Sequence, residues 1–133
     1  MSDANHRLAR SFFAGLSKGD LPDDLFTSGM TFWSTSSGAS DKARLQYGIK
    51  VLQSIFTGGL AYIIDSLTAE EDRVAAEVHS RGTLTTGEEY CGRYVFVLRF
   101  RDGRISSIAE HNDPGSVREK LGPLLQAALA ARR

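Results

Sequence analysis

From Ala61 to Asp113 the chain carries four stretches with the two-residue alternation of β-strands and no helical pattern between them. Strands joined by short turns pair antiparallel, because a parallel partner needs a crossover of a dozen or more residues. The stretches run from Ala61 to Thr68, from Arg73 to Arg81, from Tyr90 to Arg101 and from Arg104 onward. They are joined through Ala69-Glu70-Glu71-Asp72, Thr86-Gly87 and Asp102-Gly103, the last a strong hairpin signal. A stretch of 53 of the 133 residues is therefore committed to one antiparallel meander.

The remainder reads as helices that such a sheet can fold over. Asp3 can cap a first helix with Leu8, Phe12, Phe13 and Leu16 on one face, stopped by Lys18-Gly19. A turn follows that allows a short second helix, then a strand over Met30 to Ser34 and a loop from Ser34 to Ser40. A further helix is expected from Asp41 to Phe56, with Leu45, Ile49, Leu52 and Phe56 buried and Gly58-Gly59 as its end. Pro114 opens a terminal helix with Val117, Leu121, Leu124, Leu125 and Leu129 apolar. This order predicts an α+β fold, one domain over residues 1–133, with an antiparallel sheet curled over helices.

Charge and composition narrow the function. Sixteen basic residues balance sixteen acidic ones, so no net field recruits nucleic acid or an anionic membrane. No apolar run approaches a membrane span, and the polar Met1-Ser2-Asp3-Ala4-Asn5-His6 lacks a secretory core, which makes the cytoplasm the expected location. The single cysteine, Cys91, leaves no internal disulfide and no thiolate zinc site. Phosphate-binding glycine loops, nucleophile elbows and zinc-helix motifs are absent, so neither metal nor cofactor is expected.

Ionisable residues sit where a sheet ordinarily carries Val or Ile. The last strand ends Glu110-His111-Asn112-Asp113 before Pro114. If that strand is regular, Glu110 and Asn112 share one face and His111 and Asp113 the other; the spacing of Ile105 and Ile108 hints at a bulge that changes this parity. On an earlier strand Val74, Ala76 and Val78 alternate with Glu77, His79 and Arg81. The plainer role for that polar face is a solvated surface with cross-strand ion pairs, and for Asp113 a helix cap. The sharper role is proton transfer in a cavity, where burial raises a carboxyl pKa.

Several strings resemble the nuclear-transport-factor-2-like superfamily, and within it SnoaL-like polyketide cyclases and ketosteroid-isomerase-related proteins. They are Ala14-Gly15-Leu16-Ser17-Lys18-Gly19-Asp20-Leu21, Thr31-Phe32-Trp33, Leu67-Thr68-Ala69-Glu70, Val74-Ala75-Ala76-Glu77, the run from Tyr94 to Ile105 and Glu110-x-x-Asp113. The resemblance implies a cone-shaped pocket between a strongly curved sheet and three helices, cofactor-free chemistry on hydrophobic ring compounds, and a homodimer. It makes Asp113, by its distance to Leu121-Gly122, look like the acid/base aspartate of the cyclases, and Glu77 and Glu110 like acidic positions of the related subfamily. Phe12, Ser34 and Phe96 stand where ketosteroid isomerases carry a tyrosine, an aspartate base and a second acid, so that mechanism is disfavoured. The Arg-x-Asp of limonene-epoxide-hydrolase-like enzymes is missing, and the subfamily's usual asparagine between two tyrosines is replaced within Tyr90-Cys91-Gly92-Arg93-Tyr94.

The expectation is a general acid/base enzyme of isomerase, aldol cyclase or dehydratase type. Asp113 takes the proton, and His79, His111, Glu77 and Glu110 shuttle or orient it. Trp33, Tyr90, Tyr94, Phe12, Phe96 and Tyr47 wall a hydrophobic small molecule. The alternative is a non-catalytic module of the same fold that binds a lipophilic ligand or dimerises. Convergence of Glu77, His79 and Asp113 on one ligand position favours the enzyme, and their exposure favours the module. A dehydratase using His79 and His111 as a pair requires both imidazoles inside the cone.

Overall fold

A computed structural model describes residues 2–132. Helix α1 spans Ser2–Lys18. Its apolar stripe buries Ala9, Phe12, Phe13 and Leu16, and Asp3 and Lys18 complement the helix dipole at its two ends. Gly19, at φ +73°, ends it: the Gly19 amide donates to the Leu16 carbonyl and the Asp20 amide reaches back to Gly15.

After one 3₁₀ turn over Asp23–Leu25 come β1 (Phe26–Ser34) and β2 (Gly38–Asp41), then α2 (Lys42–Ser54). The expected loop from Ser34 to Ser40 is thus in part a strand, with Thr31 opposite Asp41 and Ser34 opposite Gly38. Gly-Ala-Ser-Asp has no apolar alternation, which is why this edge strand escapes a pattern reading. Asp41 caps α2 by accepting from the Arg44 amide. The helix stops at Ser54, short of Gly58-Gly59, because Phe56 already pairs with Leu84 at the start of β3 (Phe56–Glu70).

Strands β3, β4 (Arg73–Leu84), β5 (Glu89–Arg101) and β6 (Arg104–His111) form the antiparallel meander. Asp102 and Gly103 both take positive φ in the two-residue turn between β5 and β6. The sheet order is β2-β1-β6-β5-β4-β3, and β1 joins β6 in parallel because the chain returns beside its first strand only after α2 and the meander. Register shifts interrupt the ladder between Thr57 and Ala61, where Gly58 and Gly59 have positive φ, and between Ile64 and Ser66. Another lies in β6 opposite Arg99 and Phe100. Such bulges sharpen local twist and bend, so the sheet curls strongly over the helices.

The terminal helix is not continuous. Short α3 (Pro114–Ser116) runs into a π-helical stretch over Val117–Leu121 before α4 (Gly122–Ala131). Pro123 lacks an amide hydrogen and crowds the preceding turn, which is where the hydrogen-bond ladder widens. Gln53 ties the layers together: its Nε2 donates to the carbonyls of Leu16 and Leu60, and its Oε1 accepts from the Leu60 amide. Helices α1, α2 and the terminal segment cover the concave side of the sheet and leave a hollow between them.

Candidate active site

The hollow has a volume of about 440 Å³. Phe12 and Leu16 of α1, Ile49 and Leu52 of α2, and Leu121 and Leu125 of the terminal segment form its helical walls. The sheet side adds Tyr62, Tyr90, Tyr94 and Phe96. Its open end lies between the β1–β2 turn, α2 and the end of α4, where the lining residues Ser36, Ser37, Arg44 and Leu129 are exposed. Glu110 is the one acidic residue and Arg44 the one basic residue in the lining.

Glu110 owes its position to the bulge in β6. Ile105 and Ile108 both point inward across the irregularity, and strict alternation afterwards brings Glu110 and then Asn112 to the same face. Across the sheet Glu110 stands opposite Ser34 on β1 and Phe96 on β5. These neighbours, with Phe12, are the positions where the resemblance places isomerase groups, and all three line the hollow. The acid of this chain is on the strand between them.

Burial pushes the Glu110 carboxyl above its ordinary range, and a hydrogen bond from Asn112 partly opposes the rise. That bond runs from Asn112 Nδ2 to Glu110 Oε2 at 2.9 Å. The same amide nitrogen lies 3.3 Å from Ser36 Oγ, linking the buried acid to the rim. Asn112 Oδ1 is buried with no hydrogen-bond partner among the described residues.

Three phenols share the cavity with this acid. The rings of Tyr62 and Tyr94 lie 5.7 Å apart, and Tyr94 Oη is 2.6 Å from Ser80 Oγ, which accepts from the Gly92 amide. A Cβ at Gly92 would collide with the Tyr94 phenol and come within 2.9 Å of Ser80 Oγ, so the phenol fills the space that a side chain at this position would need. Burial raises the pKa of Tyr62, Tyr90 and Tyr94, which keeps all three as neutral O–H groups at any ordinary pH.

Most of the other expected catalytic groups lie elsewhere, for reasons of strand parity and capping. Val74, Ala76, Val78 and Ser80 point inward along β4, which turns Glu77 and His79 to the convex side. There Glu77 accepts from Ser66 Oγ at 2.6 Å, and His79 Nδ1 lies 2.9 Å from Asp65. His111 is exposed on that same side, its ring 5.2 Å from Trp33, which is 40% exposed. Both imidazoles are outside the hollow, which removes the paired-histidine dehydratase. Asp113 is exposed and caps α3, accepting from the amides of Gly115 and Ser116. Glu77, His79 and Asp113 do not converge. Tyr47, 48% exposed, is also outside the lining, while Tyr90, Tyr94, Phe12 and Phe96 are within it.

Tyr62, Arg44 and the serines of the rim were not among the expected site residues. Asn112 was foreshadowed by its two-residue spacing from Glu110, but Arg44 reads in sequence as any exposed helix cation. Among the described residues no three His, Cys, Asp or Glu side chains cluster to hold a metal ion, and no helix is long and apolar enough to cross a membrane.

The family model described as SnoaL-like domain matches residues 9–108. The chain belongs to the SnoaL-like domain family. The match ends two residues before Glu110, so the acidic pole of this SnoaL-like chain rests on its own geometry. No curated protein matches it. Among solved structures it is similar to AclR, a candidate hydroxylase from Streptomyces galilaeus, at 21% identity and TM-score 0.77, over 92% of this chain and 98% of that one. It is similar to a candidate isomerase from Bacillus subtilis at 23% identity and TM-score 0.71, over 90% and 94% of the two chains. A candidate SnoaL-like polyketide cyclase from Jannaschia sp. CCS1 aligns at 14% identity and TM-score 0.71, over 86% and 89%. At these identities the likeness shows the fold: a curved, mixed sheet closing with three helices into the cone of the nuclear-transport-factor-2-like proteins.

Proposed function

We propose that this SnoaL-like chain is a cofactor-free general acid/base enzyme acting on a small hydrophobic ring compound, with Glu110 in place of the expected Asp113. The observation that carries this reading is a lone carboxyl, its pKa raised by burial, inside an otherwise largely apolar cavity. A base whose pKa approaches the working pH both accepts and returns a proton efficiently. In its ionised form Glu110 takes a proton from a carbon next to a ring carbonyl, and in its protonated form it delivers that proton to a neighbouring atom. Asn112 holds Oε2 and leaves the other carboxyl oxygen for the substrate. The neutral hydroxyls of Tyr62 and Tyr90 supply donors for the enolate oxygen, in a water-poor space where such donors count most. Isomerisation, aldol cyclisation and dehydration all use this step, and the likeness to a candidate cyclase and a candidate isomerase supports that range.

The exposed Trp33, Ile63 and Val95 on the convex side support a homodimer through that face, leaving both cavities open. Sedimentation of the wild type against Trp33→Glu tests it: the variant should shift to the monomer.

The acid/base reading is tested with 2-tetralone in D₂O, following uptake of deuterium beside its carbonyl by NMR. The wild type should accelerate uptake and Glu110→Gln should not. If both proteins bind the ketone and neither accelerates exchange, the chain is a binding module.

A further inference from the structure

The open end of the cavity is chemically unlike its interior. Arg44, at the third position of α2, lines the mouth and is in none of the four ion pairs among the described residues. Its backbone amide donates to Asp41, and its guanidinium makes no hydrogen bond among the described residues. The lining residue Ser40 makes no side-chain hydrogen bond among the described residues, and Ser36 is held only through long contacts of 3.3 and 3.4 Å to Asn112 and Ser34. An exposed guanidinium with no ion-pair partner among the described residues thus lines the same mouth as available hydroxyls, at the entrance to an apolar chamber, where it can meet the anionic group of a ligand.

We propose that the ligand of this cavity is a ring compound bearing a carboxylate, its anionic group held at the mouth by Arg44 with Ser36 and Ser40 and its ring inside against Phe12, Leu52 and Phe96. The planar fork of a guanidinium matches a carboxylate bidentately, and one cation balances one negative charge, whereas a phosphate dianion would be left half neutralised. Ser36 is one amide away from Glu110, through Asn112, so the reacting carbon lies only a few bonds from the carboxylate. The substrate class is therefore a cyclic keto acid. The placement of the reacting carbon rests on the acid/base role of Glu110; the anion site does not. Glu110 faces the same chamber and opposes an anion when ionised, so removing its charge should strengthen binding of the acid.

Titration calorimetry at pH 7 with 1-naphthaleneacetate and its primary amide, nearly equal in shape, separates charge from ring. The wild type should bind the acid about tenfold or more tighter than the amide. Arg44→Gln should erase that preference while leaving amide affinity within about twofold, and Glu110→Gln should keep or widen it. Equal affinities in the wild type, a preference that survives Arg44→Gln, or no binding of either compound overturns the proposal. Exchange into 2-tetralone, which has no carboxylate, reads Glu110 alone, so the acid/base reading stands or falls separately.

Discussion

Glu110 and Asp113 are carboxylates three residues apart at the end of one strand, and the molecule treats them oppositely. Glu110 lies in an inward row with Ser34 and Phe96 across the sheet, half-buried in the cavity wall, its pKa raised. Asp113 lies just beyond the strand, exposed, its oxygen engaged by two amides at the start of α3. The neighbouring row, His111, Val95 and Glu77, faces the convex side. One step along β6 thus separates an acid that faces the cavity from side chains that meet solvent or cap a helix. What distinguishes them is position relative to the curl of the sheet.

The largest expected effect breaks that comparison directly. Glu110→Gln should lower the deuterium-exchange rate by about a hundredfold to ten-thousandfold, the range for loss of a positioned base, while Asp113→Asn should leave it within about twofold. A large loss with Asp113→Asn, measured in the same NMR assay, would return the base to the position the family resemblance suggests.

The next effect is in pH dependence. Because burial raises Glu110 above its ordinary 4.5, the folded chain keeps a proton that the unfolded chain has released. The stability this group contributes is fully present below about pH 4.5 and is lost as pH rises through its folded value. Thermal melts of Glu110→Gln should accordingly coincide with the wild type in acid and exceed it at pH 8. Exchange activity of the wild type should rise over the same window as the carboxylate forms.

Smaller again is Gly92→Ala, which should cost about 1–3 kcal/mol in urea unfolding as the added methyl displaces the Tyr94 phenol from Ser80. Asp113→Ala should cost about 1 kcal/mol for the lost cap, without changing exchange. Last, His79→Gln removes a partly exposed pairing with Asp65 and should change stability by less than about 1 kcal/mol, with exchange unaltered. A loss of exchange in His79→Gln would mean that the convex face takes part in the chemistry.

Much of the fold was legible because it rests on local signals. The alternation of Val74, Ala76 and Val78, the Asp102-Gly103 turn and the stripe of α1 each act within a few residues, and antiparallel pairing follows from turns too short for any other connection. The polar strand β2 and the π-helical break were not legible, since edge pairing and the accommodation of Pro123 depend on neighbours distant in sequence. The spacing of Ile105 and Ile108 leaves the parity of Glu110 and Asn112 open in sequence, and the face they share acquires meaning only when the bulge is placed and helices close over it. The residues themselves determined an α+β meander and a set of ionisable candidates that includes Glu110. Tertiary structure alone decided that Glu110 is inside while His79, His111 and Asp113 are outside, and that Arg44 stands at the entrance. Strand alternation says which side chains travel together, but only the direction in which the bulged sheet curls says which face loses its water.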